Sequence, residues 1–175
     1  AGLNGRPIQC IQFQVFKNDN TKLTSRIVVM YRVSIKDRWL PWVSNADPEW
    51  MQSVFTKYHF DGTLDTDSYY AGNIGENING LEIRIYDEQS VIDGGFTGGT
   101  SQVTLSYMVD DLNNWHNFTN AAMADKMDGI KIQTSANKNY YLEYQTKNEG
   151  FSDYLSPVKS TGTAYNDYAG LPGNP

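Results

Sequence analysis

The chain repeats itself. AGLNGRPIQCIQFQV, from Ala1 to Val15, runs in register with AGNIGENINGLEIRI, from Ala71 to Ile85, and the same opening returns as YAGLPGNP at Tyr168 to Pro175. A unit that cannot bury its apolar face alone must stack on copies of itself, so most of its patterned residues serve packing. In both full copies Ala-Gly is followed after two residues by a second glycine, the spacing of a tight turn that needs positive φ. An alternating strand comes next. A chain that opens and closes at the same point of its unit is either cut from a tandem array or closed so that its first strand completes its last unit.

Further blocks recur. IVVMYRVSIKDRWLPWV (Ile27 to Val43) aligns with VTLSYMVDDLNNWHNF (Val103 to Phe118), which sets Trp39 on Trp115 and Tyr31 on Tyr107. MDGIKIQ aligns with INGLEIR, which sets Gly129 on Gly80, and the first copy carries Cys10 in that place. YYLEYQTKNEGFSDYLSPV, from Tyr140 to Val158, is a weaker third copy with Phe151 where a tryptophan is expected. The units are therefore about 27–86, 103–133 and 140–175, the last completed by 1–16, within a single domain spanning 1–175.

Strand signals fall at Ile8 to Phe16, Arg26 to Ser34, Trp39 to Val43, Ile78 to Tyr86, Gln102 to Val109, Trp115 to Phe118, Met127 to Thr134, Tyr140 to Thr146 and Phe151 to Leu155, with turn-rich gaps between them. One helix is expected, capped by Asp47, opened by Pro48 and Glu49, and presenting Trp50, Val54 and Tyr58 on one face. It lies in a long insertion, Ser44 to Tyr69, that the other units lack. The expected fold is all-β, built of pseudo-repeated antiparallel strands, sandwich-like or trefoil-like, with one short helix in an insertion.

Composition narrows the function. A formal charge of −6 with acids spread along the chain argues against nucleic acid, whose phosphates demand a basic patch. No stretch is long and apolar enough for membrane insertion as a helix. Twelve tyrosines beside fifteen glycines resemble the mix of secreted β-rich binding modules, and one cysteine leaves no internal disulfide framework. An extracellular setting is expected, for a mature or excised segment. Oligomeric state is not legible.

Three chemistries compete with packing. Cys10 with His59 or His116 has the residue types of a thiol nucleophile and its base. Its place on a strand, in the position of Gly80 and Gly129, favours a small structural residue instead. Asp61, Asp65 and Asp67 offer hard oxygen ligands for calcium or paired carboxylates for a glycosidase, yet the run lacks a full calcium-loop pattern and Asp is common in turns. No cofactor is expected. The third chemistry is aromatic stacking: Trp42, Trp50, Tyr58, Tyr69 and Tyr70 fall in or beside the insertion, with His59 and Asp61 among them. Rings that stack on a sugar beside amides and carboxylates that fix its hydroxyls are what a shallow saccharide or peptide site needs. These seven residues are the expected ligand site.

The combination V-x-Y-R-V, turn, W-x-x-W, then Y-A-G-x-x-G and G-[LI]-x-I-x-[IV] is carried by VMYRVSIKDRWLPWV and YYAGNIGENINGLEIRIYD. It resembles the cell-wall-targeting, or target-recognition, domains of zoocin- or enterolysin-like exoenzymes and phage endolysins of Gram-positive hosts, and more distantly the clostridial repeats with a conserved tryptophan. The resemblance implies a non-catalytic role, in which the module binds a bacterial cell-wall polymer, peptidoglycan or a wall saccharide, and holds a covalently linked hydrolase there. Given the acidic charge, a neutral saccharide or the peptide stem and cross-bridge is expected. The departures are Cys10 for glycine, no YAG in the second unit, and Phe151 for tryptophan in the third. The alternatives are a cysteine-dependent amidase or peptidase using Cys10, and a protein-binding structural or adhesin module.

Overall fold

The computed structural model describes residues 5–17, 27–57, 61–87, 103–109, 115–118, 122–123, 127–134, 140–160 and 169–170, with backbone alone at 17, 87, 103–109, 115–118, 122, 133 and 134. Among these residues thirteen strands and one helix follow in the order β1 (Ile8–Lys17), β2 (Ile27–Ile35), β3 (Arg38–Trp39), β4 (Val43–Ser44), α1 (Pro48–Lys57), β5 (Ala71–Gly72), β6 (Gly80–Asp87), β7 (Val103–Val109), β8 (Trp115–Phe118), β9 (Ala122–Met123), β10 (Met127–Thr134), β11 (Tyr140–Asn148), β12 (Val158–Lys159) and β13 (Ala169–Gly170). The fold is all-β with one short helix.

Three antiparallel sheets are each built on one long pair: β1 with β11, β2 with β6, and β7 with β10. Between sheets, β1 meets β2, β6 meets β7 and β10 meets β11. Three sheets rather than two is the trefoil-like arrangement, not the sandwich-like one. The N-terminal strand completes the sheet of the third unit, with Phe13 opposite Tyr144 and Phe16 opposite Tyr141.

The repeat is visible in individual bonds. Each long pair takes up a two-residue strand led by alanine at the same point: Ile11 opposite Ala71, Leu81 opposite Ala122, Ile130 opposite Ala169. Ala122–Met123 thus fills the place that YAG fills elsewhere. The next pair along is Cys10 with Gly72, Gly80 with Met123, and Gly129 with Gly170, so no crossing holds two side chains. A methyl group on Gly72, whose φ is +118°, would overlap the Gln9 carbonyl, and one on Gly80 would come within 2.6 Å of the Met123 sulfur. Cys10 can stand where its counterparts are glycine because its partner is glycine.

The first and third units match through their side strands as well. Leu40 N–H donates to Val33 and Leu155 N–H to Thr146, both at about the same length of 2.9 and 2.8 Å. Asn45 N–H bonds the Val29 carbonyl while its Oδ1 accepts from Val29 N–H at 2.7 Å, and Ser160 does the same to Leu142 with its hydroxyl at 2.8 Å. These bonds set Tyr154, not Phe151, in the place of Trp39, and Pro157 in the place of Trp42.

Sequence blocks and structure disagree in one register. Trp39 pairs with Ser34 and Trp115 with Met108, while Gly80 pairs with Ser34 and Gly129 with Met108. Tyr31 therefore corresponds to Leu105 rather than to Tyr107, because the β7–β8 connection is two residues longer. An even slip keeps every side chain on its original face, so the apolar pattern conceals it.

The core gathers equivalent positions. Ile8, Ile78 and Met127 are all 0% exposed, as are Ile11, Leu81 and Ile130, and all six lie in one cluster. Burying such a side chain is worth about 1.5–3 kcal/mol. A second cluster, Val28, Met30, Trp42, Met51, Val54, Phe55 and Tyr86, holds the helix against the outer face of β2.

Two local expectations are corrected. Trp39 to Val43 is not one strand: Pro41 has no N–H to donate, and Trp42 turns its own N–H to Thr63 at 2.7 Å and bridges Leu64 in parallel. Phe151 to Leu155 is not a strand either, since Phe151 N–H closes a turn on Asn148 and pairing resumes at β12. The helix begins as expected, with Asp47 Oδ1 accepting from Trp50 N–H at 2.9 Å. Its buried face is Met51, Val54 and Phe55, one position on from the expected Trp50 stripe. Tyr58 lies outside the described residues.

Candidate functional site

The insertion is fastened at Trp42. The indole is 0% exposed and donates through Nε1 to the Asp61 carbonyl at 2.6 Å. Its backbone takes Thr63 and gives its carbonyl to Asp65 N–H at 2.8 Å. Arg32 and Arg84 lie over the ring at 4.4 and 5.3 Å, and Arg32 also sits 4.9 Å from the Trp39 ring. Both guanidiniums bond Glu82, Arg32 at 2.9 Å and Arg84 at 2.7 Å. Glu82 thus sets one negative charge between the two cations that lie over the buried indole.

Beyond this anchor the segment Leu64 to Tyr69 returns over the sheet and roofs a cleft of about 300 Å³. Phe13, Tyr31 and Met51 form its apolar floor, Gln12 and Gln14 of β1 one wall, Ser44 to Ala46 and Pro48 another. The Tyr31 hydroxyl ties roof to floor by donating to the Tyr69 carbonyl at 2.6 Å. Burial pushes the Tyr31 pKa well above the ordinary tyrosine value, opposed in part by a bond from Phe13 backbone N–H.

Some polar groups here are already committed. Asn45 serves Val29 and Ile27. Asp65 Oδ1 accepts from the N–H groups of Asp67 and Ser68 at 2.9 and 3.2 Å, a local turn rather than a ligand set. Ser68 closes on Tyr70. Gln12 Oε1 accepts from Gln145 at 2.8 Å. Among the described residues the Gln12 amide N–H groups, the Gln14 and Thr66 side chains, the Asp67 carboxylate and the Tyr69 hydroxyl have no hydrogen-bond partner. The Tyr69 ring, 66% exposed, stands at the mouth. The cleft offers amides, hydroxyls, a carboxylate and one aromatic face.

Of the seven expected site residues, the five that are described do not gather in one place. Tyr69 lines the cleft, and Tyr70 packs edge-on against it at 5.9 Å. Trp42 is corrected from a stacking platform to an anchor, because both its burial and its arginine contacts leave no ring face for a ligand. Trp50 packs partly buried against the helix cluster. Asp61 is exposed and 3.5 Å from Arg32, on the anchor rather than in the cleft. Tyr58 and His59 lie outside the described residues. Sequence reading missed Gln12 and Gln14, whose outward alternation with Ile11 and Phe13 on β1 is the signal that marks them.

Cys10 does not line this cleft. It is 1% exposed on β1, and burial pushes its thiol pKa up against the opposing charge of Lys147. A nucleophilic thiol needs the opposite shift. The side chain of His116, on β8, and all of His59 lie outside what is described. Among the described residues no cluster of His, Cys, Asp and Glu has a metal-binding arrangement. No helix among the described residues is long and apolar enough to cross a membrane.

Comparison of the chain with family models, with curated proteins and with solved structures gives no match.

Proposed function

We propose that the protein is a non-catalytic module that binds a bacterial cell-wall polymer, peptidoglycan or a wall saccharide, and holds a linked lytic domain at the cell surface. The observation that carries this reading is the roofed cleft beneath Tyr69. It sits where the three units are unequal, under the insertion that only the first unit has, on a scaffold whose other patterned residues are spent on packing. Ligand sites on repeat scaffolds belong to such unit-specific loops. The cleft supplies a ring to stack on and uncommitted amide and hydroxyl groups to orient hydroxyls or peptide groups. The burial and raised pKa of Cys10 speak against the cysteine-hydrolase alternative.

The test is sedimentation. The purified chain should pellet with Gram-positive sacculi and release no soluble peptidoglycan from them. Failure to pellet, or clearing of the suspension by the chain alone, overturns the reading.

A further inference from the structure

The cleft does not end at Gln14. Alternation on β1 places Gln12, Gln14 and Phe16 on one face, with Gln12 buried and Gln14 and Phe16 exposed, and the register sets Gln145, Glu143 and Tyr141 directly opposite them on β11. Phe16 stacks on Tyr141 with ring centroids 5.6 Å apart and planes 14° from parallel, and Lys159 on β12 lies 5.1 Å from the same Tyr141 ring. The stack occupies one face of Phe16, yet the residue stays 38% exposed. Among the described residues, β1 is paired on the side away from β11 only at Cys10 and Ile11, by β5. The other face of Phe16 therefore looks over an edge that no described strand covers, the edge on which Gln12 and Gln14 enter the cleft.

We propose that this face is a second contact point, continuous with the cleft, and that the ligand lying across both is an extended, uncharged glycan strand. The proposal rests on the wall-binding reading and chooses among its ligands. From Gln12 to Phe16 is about 13 Å of strand, more than a single sugar ring covers. Among the described side chains the row between them carries amides, with Glu143 and Lys159 as its acid and base, so these hold no net charge to attract a polyanion. At the other end Asp65 and Asp67 on the cleft rim repel carboxylates and phosphates but accept bonds from sugar hydroxyls. Flat apolar sugar faces match the two ring positions, Tyr69 and Phe16. A second contact made after the first is intramolecular, so affinity grows with ligand length until both positions are filled.

The experiment is calorimetric titration of the whole chain with β-1,4-linked N-acetylglucosamine oligomers of increasing length, from the dimer to the hexamer. Affinity should rise with length and then level off. Phe16→Leu should weaken the hexamer about tenfold and leave the dimer unchanged, Phe16→Tyr should behave as the native protein, and Tyr69→Ala should weaken every length. An unchanged melting temperature shows that the variants remain folded. Native-like hexamer binding by Phe16→Leu overturns the second contact point. No binding of any oligomer by a chain that still pellets with sacculi overturns the glycan assignment while leaving wall binding intact, and loss of pelleting marks failure of the parent reading.

Discussion

The Tyr31 hydroxyl donates to the backbone carbonyl of Tyr69 at 2.6 Å, joining the floor of the cleft to its roof. The Tyr31 ring is buried at 1% exposure and packs edge-on against Phe13 at 4.9 Å. Tyr31→Phe removes only the oxygen, leaving the Tyr69 carbonyl and Phe13 N–H without it. The expected cost is about 1–3 kcal/mol, read by denaturant unfolding, together with faster proteolysis near Tyr69.

The same hydroxyl predicts an alkaline limit. Because burial raises its pKa, the folded state keeps the proton when the unfolded chain has begun to lose it. The stabilisation is whole below the ordinary value of 10.0 and is lost as pH climbs from there toward the raised value. Tyr154 is raised by burial too, and its hydroxyl is buried with no hydrogen-bond partner among the described residues. Tyr154→Phe should therefore be neutral or stabilising, and each Phe variant should flatten the fall in stability above pH 10. A steep fall persisting unchanged in the double variant contradicts this.

Glu82 faces Arg32 and Arg84 at once, with its side chain 10% exposed. Glu82→Gln keeps the shape and removes the charge, leaving Arg32, stacked against two indoles, with only the exposed Asp61 carboxylate at 3.5 Å. A loss of about 3 kcal/mol is expected. Asp61→Asn, by contrast, alters a 3.5 Å contact from a side chain that is 78% exposed, and should change stability by less than about 0.5 kcal/mol.

Much of this fold was legible because its repeats are marked by strand pairs that hold at most one side chain, so glycine recurs there. The equivalence of Cys10, Gly80 and Gly129 read from the sequence is the one that pairing shows, and Gly72 has no room for a side chain. Asp47 announced the helix cap correctly. The two register misreadings share a cause. Turn lengths differ between units, so ungapped alignment put Tyr107 on Tyr31 and looked for the third aromatic at Phe151 instead of Tyr154. Trp42 was misread because its neighbours were invisible: a tryptophan beside an insertion reads alike whether it grips a ligand or the insertion itself. Gln12, Gln14 and Phe16 become a surface only when β11 supplies Gln145, Glu143 and Tyr141 across from them.

Cys10 separates binding from thiol chemistry. Cys10→Ser places a hydroxyl in a buried position and is expected to cost about 1–2 kcal/mol while leaving sedimentation with sacculi unchanged. Alkylation of the native folded protein should be slow, because the thiol is both buried and held protonated.

Tyr69 is the most direct probe of the central claim. It is 66% exposed, so Tyr69→Ala should leave the melting temperature nearly unchanged. In titration against purified sacculi this variant should bind about tenfold more weakly than the native chain. Native affinity from a folded Tyr69→Ala protein would contradict it.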